Sequence, residues 1–258
     1  MSELAIIVLA AGQGKRMKSE LPKVLHPLAG RPMIRHVLDS AAALDPARLV
    51  VVVGHGGDQV AAALDGDLIF VEQRRRLGTG HAVMQAEALV SGCQHILVLY
   101  GDMPLLQPAT LQSLWARYRN GDSPLGMLIL NSEESWGFGR VIRNHEGRVQ
   151  AIVEESECTT EQLAIHDLNA GVYCFEAGWL WSHLPQLPLH ANRGDEGEYF
   201  LTDLVGMAVA QGFTIPYLVI DDPSEALGVN TPEHLAEAEA VLHRRREMGG
   251  EENSAYTH

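Results

Sequence analysis

The chain predicts an α/β fold organised around a mostly parallel β-sheet with helices on both faces. Three observations lead there. Short apolar runs rich in β-branched residues recur at 4–9, 49–53, 68–71 and 95–99. Segments of helical period, such as 33–44 and 79–90, lie between them. The strands are continuously apolar instead of alternating, which calls for crossover helices and cover on both faces. In such sheets ligands bind beyond the carboxyl ends of the strands, which directs attention to the loops after Leu9 and Leu99.

The pattern changes after about Pro124. Residues 125–130, 139–143 and 148–153 predict strands, with Asn144-His145-Glu146-Gly147 as a hairpin turn between the last two. A strand over 165–175, a helix over 199–210 and a strand over 214–220 follow. Thr231 as N-cap and Pro232 at the first helical position open a last helix that runs to about Met248. From Gly249 the sequence is polar and a disordered tail is expected over 249–258. No Pro/Gly/Ser-rich linker divides the chain, so residues 1–248 are expected to form one domain. Its parts are about 1–123, a β-rich lobe over about 124–230, and a C-terminal helix over 231–248.

The 258 residues are 46% hydrophobic, enough for a sizeable core. No apolar run approaches the ~20 residues of a membrane helix, and no basic segment precedes a long apolar one, so neither a span nor a signal peptide is expected. The expected compartment is the cytoplasm. Cys93, Cys158 and Cys174 form no C-x-x-C pair, against both a disulfide framework and a zinc site. A formal charge of -14 counts against nucleic-acid binding. Anionic substrates then need a locally basic site, and Lys15, Arg16, Lys18 and Lys23 fall within one loop. Arg74-Arg75-Arg76 and Arg244-Arg245-Arg246 are read as solvated faces.

That loop is the most informative stretch. Leu9-Ala10-Ala11-Gly12-Gln13-Gly14-Lys15-Arg16-Met17 follows the first strand, and Leu21-Pro22-Lys23 comes soon after. Gly12 and Gly14 let the chain turn and bring its N–H groups to phosphate oxygens, while Arg16 and Lys23 supply charge. This is the architecture of a nucleoside triphosphate site. No third glycine completes a dinucleotide fingerprint and no Gly-Lys-Ser/Thr closes a Walker loop. After the fourth strand, Tyr100-Gly101-Asp102-Met103-Pro104 sets a carboxylate at the open end of the sheet, suited to magnesium shared with phosphates and water. Gln73 offers a donor and an acceptor that match the O4 and N3–H edge of uracil, and Leu77-Gly78-Thr79-Gly80 lets backbone approach the base. His81 is read as a helix-face histidine.

The run L-A-A-G-x-G-x-R-M-x(4)-L-P-K resembles the signature of nucleotidyltransferases that activate sugar phosphates. Further motifs recur in order: Gly54-His55-Gly56-Gly57, Leu77-Gly78-Thr79-Gly80-His81-Ala82, Gly137-Phe138-Gly139-Arg140, Ile152-Val153-Glu154-Glu155, Leu168-Asn169-Ala170-Gly171, Gly197-Glu198-Tyr199 and Gly228-Val229-Asn230. With them, nearly the whole chain is similar to the uridylyltransferase half of bacterial N-acetylglucosamine-1-phosphate uridylyltransferase/acetyltransferases. The resemblance implies a Rossmann-like, GT-A-like three-layer αβα fold with a β-rich sugar-binding lobe. It implies that Leu9, Ala10, Ala11, Gly12 and Gly14 surround the nucleotide, that Arg16 and Lys23 hold the triphosphate as catalytic groups, and that Gln73 with Gly78 reads uracil. Asp102 and Asn230 would bind magnesium. Gly139, Glu154 and Asn169, helped by Thr79 and Tyr100, would hold the sugar. Phe138 stands where such enzymes often have tyrosine. The family continues into a left-handed β-helix that transfers acetyl groups and forms the trimer; this chain stops after one helix, so acetyl transfer is not expected and no oligomeric state follows.

The expected reaction is in-line attack of the phosphate of N-acetylglucosamine 1-phosphate on the α-phosphorus of UTP, with magnesium and release of pyrophosphate. A phosphate monoester has a second pKa of roughly 6, so no general base is needed. Two other readings stay open: a nucleotidyltransferase for a different sugar 1-phosphate or nucleotide, and a non-catalytic subunit that senses nucleotide sugars. A glycosyltransferase is disfavoured because no D-x-D stands at the metal position, where the sequence is Tyr100-Gly101-Asp102.

Overall fold

The computed structural model describes residues 3–12, 14–54, 56–191 and 196–255. Gln13 of the first loop, His55 of the Gly-His-Gly-Gly motif and residues 256–258 of the expected tail lie outside the described residues. In chain order the strands are β1 Leu4–Ala10, β2 Pro27–Leu28, β3 Arg31–Pro32, β4 Arg48–Val53, β5 Ile69–Glu72, β6 His95–Tyr100, β7 Leu125–Asn131, β8 Arg140–Arg143, β9 Val149–Val153, β10 Asp167–Glu176 and β11 Tyr217–Val219. The helices are α1 Met33–Ala42, α2 Gly57–Ala63, α3 Gly78–Met84, α4 Pro108–Arg119, α5 Thr160–Leu163, α6 Ala177–His183, α7 Asp203–Ala210 and α8 Pro232–Ala255.

The main sheet has the order β11-β7-β10-β6-β1-β4-β5, and β8 and β9 pair beside β10. Strands β6, β1, β4 and β5 are mutually parallel, and β10 is antiparallel to both β6 and β7. The period of two along β1 explains the layering. Leu4, Ile6, Val8 and Ala10 enter one core with α1 and α4, whereas Ala5, Ile7 and Leu9 enter the other with α3, α6 and α7. Each fully buried Ile, Leu or Val removes enough apolar surface to favour folding by ~1.5–3 kcal/mol, and β1 is buried along its whole length. A third, smaller cluster packs Ala238 and Val241 of α8 on Leu28, Met33 and Leu105.

Four boundaries differ from expectation by more than two residues. The 79–90 helix breaks after Met84 and resumes as a 3-10 turn, Glu87–Val90. The Gln85 side chain donates to the His81 carbonyl at 2.9 Å, taking the acceptor that the next helical N–H would use. The 199–210 helix starts only at Asp203, because Tyr199 N donates to Leu77 O and Tyr199 O accepts from Gly80 N. The 214–220 strand is reduced to β11, just after Pro216. Finally, α8 runs to Ala255, into the stretch expected as a tail; lengthening an existing helix avoids the costly nucleation step. Among the described residues no helix is long and apolar enough to cross a membrane.

Candidate active site

A cleft of about 470 Å³ opens where β1, β6 and β5 end and β10 begins. Its walls bring together Leu9, Ala10, Ala11 and Gly12 with Lys23, Gln73, Gly78 and Thr79. The same walls include Tyr100, Asp102, Gly139, Glu154, Asn169 and Asn230. Two expected residues are not among them: Gly14 and Arg16. Arg16 is exposed on a 3-10 turn, Lys15–Met17, that leads away from the first loop. Gly14 acts one layer back, where a Cβ would meet the Lys23 Cβ at 2.6 Å, so it lets the loop pack on that lysine.

Lys23 lies on the 3-10 turn Lys23–Leu25 and is 9% exposed. Its ammonium donates to Asp102 Oδ2 at 2.5 Å and to Asn230 Oδ1 at 2.9 Å. Local structure brings these distant residues together. Val229 N donates to the Asp102 carbonyl at 2.8 Å, laying the segment before α8 beside the loop after β6. Asn230 Nδ2 donates to Gly228 O at 3.2 Å, which turns Oδ1 toward the lysine. One carboxylate and one carboxamide oxygen therefore converge on a single cation. They are hard donors of the type magnesium takes, and a pair leaves most of its coordination for phosphate and water. Among the described residues no group of three His, Cys, Asp or Glu poised to hold an ion occurs.

On one wall, Gln73 is buried and its Nε2 donates to Gly78 O and to His81 Nδ1, both at 3.0 Å. With the amine end engaged, the carboxamide oxygen is the end left for a ligand. His81 sits on α3 and serves this network, its pKa lowered by burial and by the charge of Arg75. Thr79 is not a helix cap; its Oγ1 accepts from Leu201 N at 3.0 Å.

Elsewhere in the lining, β10 shifts register against β7 between Asn169 and Tyr173. Asn169 Oδ1 accepts from Gly171 N at 3.0 Å and from the Tyr173 hydroxyl at 2.6 Å. The sequence suggested donor and acceptor together; the fold occupies the acceptor, and the Nδ2 donor is the end left for a ligand. Glu154 Oε1 accepts from Thr202 Oγ1 at 2.8 Å. Burial raises the Glu154 pKa; the Thr202 hydrogen bond opposes this, and Glu157, Asp203 and Glu198 reinforce it. Burial, then the charge of Glu154, raise the Tyr100 pKa, so its hydroxyl keeps its proton near neutrality.

Sequence reasoning missed the strap over 196–202, although it quoted the Gly197-Glu198-Tyr199 motif. Glu198, Phe200 and Thr202 all line the cleft. Arg76, read as a solvated face, lines it as well. The helical period from Tyr199 onward concealed the strap, because that period describes only the part from Asp203.

His190 fastens the strap's far end. Its Nε2 meets Asp203 Oδ2 at 2.8 Å, its Nδ1 meets Glu157 Oε1 at 3.2 Å, and its backbone pairs with Glu198. Burial works against the imidazolium, but the hydrogen bond and charge of Asp203, then Glu157, raise its pKa above 6.5. A raised folded pKa adds stability that is full below the unfolded value and is lost as pH rises through the folded one. Urea titrations are expected to show stability falling as pH rises above about 6.5, with that slope missing in His190→Gln. Equal slopes in the two proteins would rule out this latch.

Comparisons place the chain among known proteins. A model described as the MobA-like NTP transferase domain matches residues 6–196. The chain is 46% identical over 240 residues to a protein named "Bifunctional protein GlmU" from Burkholderia orbicola (strain AU 1054). The match covers 93% of the chain and 52% of that protein. The same-named protein of Burkholderia ambifaria is equally similar, again 46% over 240 residues. The chain thus spans about half the length of these curated relatives. In fold it is similar to a nucleotidyl transferase from Methanothermobacter thermautotroptrophicus, with TM-score 0.63 at 19% identity over 94% of this chain and 98% of that one.

Proposed function

The chain belongs to the MobA-like NTP transferase family, and from that premise we propose that it transfers UMP from UTP to N-acetylglucosamine 1-phosphate, releasing pyrophosphate. One observation carries the reading: a single cleft joins the glycine-rich loop, Lys23, the Gln73–Gly78 wall, the Asp102–Asn230 pair and the Glu154–Asn169 wall. The cleft lining carries two chemistries. Gln73 and Gly78 suit the edge of a pyrimidine, whereas Glu154 and the Asn169 carboxamide N–H suit sugar hydroxyls and an acetamido carbonyl. The same cleft holds the cation and the hard oxygens that phosphates require.

Bringing two polyanions together is the main obstacle, so catalysis here is positioning plus charge stabilisation. Asp102 and Asn230 would hold magnesium, which supplies charge neutralisation and a fixed orientation of the phosphates. Lys23 and the N–H groups of Ala11 and Gly12 would hold the triphosphate, and Arg16, exposed outside these walls, would join them only on nucleotide binding. The Tyr100 hydroxyl would donate to the sugar phosphate. The free thiols and the phosphorylated substrates fit a cytoplasmic enzyme.

The test is magnesium-dependent pyrophosphate release from UTP with N-acetylglucosamine 1-phosphate, beside glucose 1-phosphate and other nucleotides. Release with none of these pairs would overturn the reading. Glu154→Gln keeps the Thr202 contact but loses a charged acceptor. It is expected to raise KM for the sugar phosphate ~10–100-fold, the range of a hydrogen bond to a charged group, with a smaller change in kcat. A kcat effect alone would move Glu154 from binding to chemistry.

A further inference from the structure

We propose that Lys23 is an exchangeable counter-ion, which neutralises Asp102 and holds the Asn230 carboxamide oxygen in the free enzyme, and passes to the nucleotide phosphates when a divalent ion takes those oxygens. The inference rests on the reading of Asp102 and Asn230 as metal ligands. Its basis is the convergence of both oxygens on one ammonium, at 2.5 and 2.9 Å. A lysine so placed fills the position that these donors define, and two cations repel each other across the same pair of oxygens. Lys23 and the ion therefore compete for the ligands.

The surroundings allow the exchange. The root of the side chain is fixed, because the Lys23 turn is buried and Gly14 packs against its Cβ. The end is a flexible stem carrying a point charge, able to redirect without backbone movement. Beside it lie Ala11 and Gly12, and among the described residues, chain neighbours aside, no atom comes within 4 Å of where a Cβ on Gly12 would stand, which leaves space next to the loop. Phosphates entering there give the displaced ammonium a new partner. Ion and nucleotide then assist each other: the ion frees Lys23 for the phosphates, and the phosphates hold Lys23 away from the ion's ligands. Such coupling is reciprocal by linkage.

Manganese binding without nucleotide, followed by electron paramagnetic resonance, tests the exchange on the full chain. Lys23→Met and Lys23→Gln remove the competing charge, the second while keeping a polar group for Asp102. Both are expected to bind Mn²⁺ at least tenfold more tightly than the wild type, and adding Asp102→Asn should abolish the gain. Binding by both single variants that is equal to or weaker than the wild type would overturn the exchange. A gain that survives Asp102→Asn would place the ion elsewhere and overturn the metal reading with it.

Discussion

Asp102→Ala is expected to lower kcat for pyrophosphate release by ~10²–10³-fold, the usual cost of removing one group that stabilises charge in the transition state. The proposed roles give the reason. Asp102 is the one carboxylate of the Lys23–Asp102–Asn230 set, so its loss removes the charged donor for the ion and leaves the lysine with a single neutral partner. KM for the sugar phosphate should change much less, because the groups proposed to hold the sugar are Glu154 and Asn169. Some stability is lost as well. The Lys23 and Asp102 side chains are 10% and 21% exposed, so the cost falls between the ~1 kcal/mol of a surface pair and the ~3–5 kcal/mol of a fully buried one. Asp102→Asn separates the two effects, since it keeps shape and hydrogen bonding while losing charge. Steady-state kinetics beside thermal melting measure both. A folded Asp102→Ala enzyme with normal turnover would remove Asp102 from the chemistry.

What was legible in the sequence was local. Continuous apolar strands announced a sheet buried on both faces, and the alternation along β1 does divide its side chains between two cores. The loop after β1 and Asp102 after β6 stood out because short neighbouring segments carry their patterns. The pairing of Lys23 with Asp102 and Asn230 was hidden, since it joins residues 79 and 207 positions apart. Type and position suggested Lys23 for phosphate and Asp102 for metal, and the family resemblance added Asn230, without showing that all three meet. Hydrogen-bond direction was hidden for a similar reason. Asn169 offers two functions as a residue type, and only the turn at Gly171 with the Tyr173 hydroxyl decides which one is consumed. The strap was obscured because its backbone bonds to the 77–80 loop override the helical tendency of the sequence.

That strap is where a small change is expected to do most structural damage. Gly78 has φ +89, and a Cβ there would lie 2.6 Å from Tyr199 O and 2.8 Å from Tyr199 N. Neither neighbour can yield easily, because Tyr199 N donates to Leu77 O at 2.8 Å and Tyr199 O accepts from Gly80 N at 2.9 Å. Gly78→Ala combines left-handed strain of ~1–2 kcal/mol with overpacking of ~1–3 kcal/mol, for a loss of ~2–5 kcal/mol. At ~2–4 °C per kcal/mol for a chain of this size, Tm should fall by ~4–20 °C. KM for UTP should rise, since Gly78 O also fixes the Gln73 amide at 3.0 Å. Gly147→Ala is the control: φ is +77 in the β8–β9 turn, yet among the described residues, chain neighbours aside, nothing lies within 4 Å of the added Cβ. It bears the strain without the collision, so its Tm should drop by only a few degrees and its KM for UTP should stay at the wild-type value. Similar losses in the two variants would mean that backbone strain dominates, and that the strap's contact with the 77–80 loop contributes little to the fold or the nucleotide site.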